Sequence, residues 1–79
     1  MDADKDKIDE ATLALLFMGM TRSPDGGGRA WKGFDLQTLE RLHHKGWIAA
    51  PRIKDISVVL TAEGAKKAEE LFKRHFQRG

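Results

Sequence analysis

Between Pro24 and Gly33 the chain carries four glycines, in the stretch "SPDGGGRAWKGF". Proline lacks a backbone donor, and glycine loses more backbone freedom in a helix than any other residue. No regular helix can therefore cross the middle of the chain. Residues 21–33 are expected to be an irregular link of low order, dividing a leading helix from a separate second half. The glycines do not make a phosphate cradle. Gly28 and Gly33 have P-loop spacing, but Phe34 and Asp35 stand where Lys and Ser or Thr are required. Trp31 occupies the third glycine of a dinucleotide-binding pattern.

Ahead of the link, residues 4–20 have helical spacing, with Asp4 or Asp6 as N-cap. Ile8, Ala11, Leu15 and Met18 form one apolar stripe; Leu13, Leu16, Phe17 and Met20 form another, nearly opposite. A helix apolar on two sides is either central to the core or shares one side with a partner. Behind the link, "DLQTLERLHHK" (35–45) is a second helix. Asp35 is its N-cap, Phe34 and Leu39 have hydrophobic-staple spacing, and Gly46 closes it in a Schellman motif with Trp47 turning back on Leu42. "WIAA" (47–50) and the alternating "ISVVLT" (56–61) are expected as two strands of a hairpin around the loop "PRIKD". Thr61 caps a last helix over 62–76, with Ala62, Ala65, Ala68, Phe72 and Phe76 inward and Lys67, Glu70, Arg74 and Arg78 toward water.

The order helix, link, helix, strand, loop, strand, helix is that of a winged helix with one helix missing. The segments "LHHKGWI" and "VVLTAEGAKKAEEL" resemble the recognition helix, wing and following helix of MarR- and PadR-type regulators over residues 35–72. "KIDEATLALL", "RAWKGFDLQTLERLHHKGWI" and "SVVLTAEG" together resemble a small bacterial family known only as a domain of unknown function. The expected fold is α+β and winged-helix-like: three helices, a C-terminal-half β-hairpin as the wing, and the first helix of the helix-turn-helix reduced to the link. Residues 1–79 are read as a single domain, with 1–3 disordered.

A chain of 79 residues buries only about 60% of its unfolded surface. It has no cysteine to staple it, so a homodimer is expected, built on the first and last helices through the second stripe and Leu71. Absence of cysteine also fits a reducing cytoplasm. The acidic opening "MDADKDKIDE" is unlike a secretory signal, and the longest apolar run, "LALLFM", falls short of the roughly 20 residues that span a bilayer. No membrane partner is expected.

Charge is unevenly spread. Residues 1–21 are acidic at −3, residues 22–54 basic at +4, and no acid occurs from Arg41 to Lys54. Such a stripe suits a phosphate backbone. On the second helix, Gln37, Arg41 and His44 form the stripe opposite the leucines, flanked by Thr38 and Lys45. Gln and Arg are types that reach base edges, and Lys reaches phosphates. Arg52 and Lys54 of the wing loop would hold the backbone. In this reading double-stranded DNA is the partner of a small transcriptional regulator or accessory factor. Glu40, near the same face, opposes it. The alternative is a protein-interaction module without DNA binding or catalysis, docking through Trp31, Phe34, Leu13, Phe17 and Leu71. Trp31 with Arg29, Lys32 and Phe34 admits two readings: bases stacking on basic and aromatic residues, or aromatics that anchor the link to the core. The second is preferred.

Catalytic residues, metal and cofactor are all expected to be absent. Adjacent His43 and His44 diverge on a helix and cannot readily share a metal. Ser23 and Ser57 have no base partner in pattern.

Overall fold

The helix boundaries are set by local hydrogen bonds. In the computed structural model, which describes residues 4–31, 33–52, 54 and 56–76, α1 runs Lys5–Met18 and Asp4 caps it, accepting from the Lys7 N–H at 3.2 Å. Helix α2 (Leu36–His44) starts at Asp35, whose carboxylate accepts from the Thr38 N–H at 3.1 Å. It ends as a Schellman motif. Gly46 sits at φ +81° and donates to the His43 carbonyl, and Trp47 N–H reaches the Leu42 carbonyl at 3.1 Å. Helix α3 (Ala62–Phe76) begins at Thr61, whose hydroxyl accepts from Gly64 N–H at 2.9 Å.

The link is where expectation and structure differ. Residues 21–31 are not irregular: they form a β-hairpin, β1 (Thr21–Arg22) against β2 (Gly28–Trp31). Its turn is closed by Ser23 N–H to Gly27 C=O at 2.9 Å and by Asp25, which accepts from Gly27 N–H at 2.9 Å. Gly26, at φ +94°, supplies the left-handed position such a turn requires. Strand β2 is stabilised from its other side. It pairs antiparallel with β3 (Ser57–Leu60), with Gly28 opposite Leu60 and Trp31 opposite Ser57. The sheet order is β1-β2-β3. The expected strand 47–50 is reduced to one bridge, Ile48 opposite Leu60, with Ala49 N–H to Val59 C=O and Thr61 N–H to Trp47 C=O beside it.

Among the described residues the architecture is thus α+β: three helices and a three-stranded antiparallel sheet with a wing-like hairpin. Helix α1 packs chiefly on α3 and then on α2. Leu13, Leu16, Leu39, Leu42, Ile48, Leu60 and Leu71 are the largest fully buried apolar side chains of the core. Two expected docking residues, Leu13 and Leu71, are therefore core residues at 0% exposure, not surface. The second stripe of α1 meets α3 of the same chain, where Phe17 lies 5.3 Å from Phe72. The first stripe faces outward, with Ile8, Leu15 and Met18 exposed. The inward stripe of α3 is Gly64, Ala65, Ala68 and Leu71, with Phe72 half-buried, while Ala62 and Phe76 are exposed. The face is rotated because Gly64, lacking a Cβ, lies against the Trp47 carbonyl.

No helix among the described residues is long and apolar enough to cross a membrane. Residues 1–3, Lys32, Ile53, Asp55 and Arg78, for which the sequence raised expectations, lie outside the described residues.

Candidate nucleic-acid interface

The period of two along β2 and β3 sends alternate side chains to opposite faces of the sheet. Ala30, Val58 and Leu60 point to the core, with Gly28 in the same register, while Arg29, Trp31 and Val59 point out. Register places Arg29 beside Val59 and Trp31 beside Ser57. The wing loop then brings Arg52 and Lys54 to the same face. Together with Arg29, Ile56, Ser57 and Val59 they line a depression of about 450 Å³. A second depression continues from it past Arg29, Ser57 and Ile56 to Trp31, Thr21 and Gly19. No carboxylate lines either one among the described residues. Trp31 is 72% exposed and Ile56 80%.

Trp31 therefore does not anchor the link. Its six-membered ring lies over Gly33, where a Cβ would collide with it. Phe34, half-buried against the core, is the anchor. The aromatic pair divides: one side chain goes in and one goes out.

The residues expected on the DNA face of α2 also divide. Gln37 and His44 are exposed, and Glu40 is exposed between them on the same arc. Thr38 is buried, its hydroxyl 3.3 Å from the Asp35 carboxylate and accepting from the Arg41 guanidinium at 3.1 Å. Arg41 turns to α1, its Nε 2.9 and 3.1 Å from the two oxygens of Asp9. Lys45 joins it, with Nζ 2.8 Å from Asp9 and 3.1 Å from Asp6, and 5.3 Å from the centre of the Trp47 ring. Asp9 is 0% exposed. The basic side chains of α2 are thus neutralised by α1 and do not join Arg52 and Lys54 in a continuous positive face. His43 Nδ1 is 3.0 Å from the Ile48 carbonyl and serves the start of the wing.

A family profile described as a domain of unknown function, DUF6429, matches residues 4–78. The chain belongs to the DUF6429 family. The uncharacterized protein y4hR of the bacterium Sinorhizobium fredii is 49% identical over 78 residues, covering 99% of this chain and all of that one. No solved structure matches the chain.

In this member of the DUF6429 family the seam between α1 and α2 has a pH signature. Burial lowers the affinity of Lys45 for its proton, but its hydrogen bonds to Asp9 and Asp6 and their negative charge outweigh that, so its pKa is raised above the ordinary 10.5. A raised folded-state pKa for a lysine stabilises fully below 10.5, and the contribution is lost as pH climbs through the raised value. Unfolding curves between neutral pH and pH 11 are expected to show an alkaline decline that Lys45→Met reduces. An unchanged decline in that variant would place its cause elsewhere.

Three residues of the sheet face, Ile56, Ser57 and Val59, were missing from the sequence-based site, as was Asp9. The alternation of "GRAW" and "SVVL" carries a signal for Ser57 and Val59, since a period of two puts Arg29 with Trp31 and Ser57 with Val59; Ile56, of the opposite parity, has no such signal. The pairing of those two segments is not visible locally.

Proposed function

We propose that this protein binds nucleic acid through the outer face of its sheet and the wing loop, as a small cytoplasmic regulator or accessory factor without catalysis of its own. One observation carries the reading. Arg29, Arg52 and Lys54 line a shared depression beside an exposed Trp31, with no carboxylate among the described lining residues. Phosphates are attracted to such a surface, and an aromatic within it adds contact to bases. Helix α2 is a poor reader of a major groove, because Arg41 and Lys45 are held by Asp9 and Glu40 stands among its exposed residues.

Fluorescence anisotropy with a labelled 20-nucleotide strand and with its duplex tests this. Binding is expected to weaken with salt at a log–log slope of about −2 to −3 for three phosphate contacts. Arg29→Glu with Lys54→Glu should weaken it at least tenfold, while Gln37→Ala with His44→Ala should leave it within about twofold. These are surface side chains, so folding is not at stake. Absence of binding to either form at low salt would remove the reading.

A second reading is favoured by the exposed stripe Ile8, Leu15 and Met18 on α1, which suits a protein-interaction module.

A further inference from the structure

We infer that the nucleic acid taken by the sheet face is single-stranded, with an unpaired base stacked on Trp31. The inference rests on the nucleic-acid reading above and names its substrate class. A duplex offers base edges in its grooves and phosphates outside them; the flat faces of its bases are covered by neighbouring pairs. An unpaired strand offers those faces, and aromatic side chains on a sheet are a surface that takes them. The outer face of this sheet has the second kind of chemistry. Trp31 is 72% exposed and Ile56 beside it 80%, so the end of the face where β2 finishes and β3 begins is apolar and wide open. Arg29 and Lys54 stand to one side of that apolar end, in the depression that continues from it. Among the described residues neither side chain has a hydrogen-bond or ion-pair partner. Bases over Trp31 and phosphates over Arg29 and Lys54 follow from that layout.

The indole also rests on the backbone along one side. The Trp31 ring lies over Gly33, so that side is already covered by backbone and the rest faces solvent. A side chain with one side already in contact loses less freedom when a base stacks on the other. This explains why a large aromatic is exposed on a chain with few aromatics to fill its core. Helix α2, which a duplex-binding reading would need in the major groove, presents Leu36, Gln37, Glu40 and His44 to solvent, with no Arg or Lys free for base edges.

The test compares a 20-nucleotide oligothymidylate, a duplex of equal length and a poly-glutamate of matching charge, by anisotropy and by Trp emission. Trp47 also emits, so the Trp31→Phe variant assigns the signal. The strand is expected to bind at least tenfold more tightly than the duplex and to quench Trp31. Trp31→Ala should weaken strand binding about tenfold with the salt slope unchanged, because stacking is lost and phosphate contacts are not. Trp31→Phe should recover most of that loss. Gly33→Ala, which keeps the indole but displaces it, should fall between. Equal binding of strand and duplex with no effect of Trp31→Ala would overturn the single-strand inference and leave the charge-based reading standing. Poly-glutamate binding as tightly as the strand would also overturn it, by making the face a general anion surface. Binding of none of the three would overturn both.

Discussion

Replacing Asp9 by Ala is expected to lower the melting temperature by about 12–24 °C. The side chain is 0% exposed and accepts from two cations, Arg41 of α2 and Lys45 at its C-cap. Removing one member of a buried ionic cluster typically costs about 3–5 kcal/mol, because the remaining charges have lost their water without keeping a partner. Here the cost belongs near 3 kcal/mol: the Arg41 and Lys45 side chains are 29% and 31% exposed and can partly rehydrate. A domain of this size loses about 4–8 °C per kcal/mol, which sets the range. The attractive interaction is not by itself the source of the effect. Asp9→Leu combined with Arg41→Met and Lys45→Met should recover much of the loss, since apolar replacement of a whole buried cluster is often neutral. Thermal unfolding followed by circular dichroism checks both. A drop under about 4 °C for Asp9→Ala would show that the α1–α2 seam does not depend on this carboxylate.

Gly64→Ala is expected to destabilise, against helix propensity. In a free helix the change would gain about 1 kcal/mol. In this chain a Cβ at residue 64 would land on the Trp47 carbonyl, and the atoms it meets are backbone that cannot swing aside. The same carbonyl accepts from the Thr61 N–H at 3.0 Å, so it is fixed by the junction it helps to form. Overpacking of this kind costs about 1–3 kcal/mol and often more where backbone must move. The net expectation is a loss of about 2 kcal/mol, read as a fall of about 1 M in the urea midpoint. Gly19→Ala is the control. Nothing lies within 4 Å of the Cβ it would add, and the residue has a φ of −104°, open to any side chain. Its stability should stay level or rise slightly. Stabilisation by Gly64→Ala would mean that α3 does not lie against the Trp47 carbonyl.

The two cases share a cause. Asp9 and Gly64 each meet a segment far away in the chain, and neither looks special in its own helix. Asp9 sits among Asp4, Asp6 and Glu10 and reads as another residue of an acidic first turn. Gly64 reads as a weak helix position. The site on the sheet has the same character. Arg29 and Trp31 meet Val59 and Ser57 only because β2 pairs with β3 some thirty residues later.

What the sequence determined by itself lies within a few residues of each signal. Asp4, Asp35 and Thr61 start helices because their side-chain oxygens reach N–H groups three residues on. Gly46 ends one because it alone accepts a φ of +81° there. The alternation over 57–60 makes a strand because β-branched side chains suit a half-buried pleat. Tertiary structure decided the rest. The two stripes of α1 are alike in composition, and only packing on α3 chose Leu13 and Leu16 over Leu15 and Met18. Trp31 and Phe34 are equally apolar by local reading, yet the core took Phe34 and left the indole in water. The glycine-rich stretch became a hairpin because β3 offered its free edge to β2. Local hydrogen bonds are formed by neighbours in the chain, whereas the choice of a buried face and a strand partner is made by surfaces that meet only after the chain has folded.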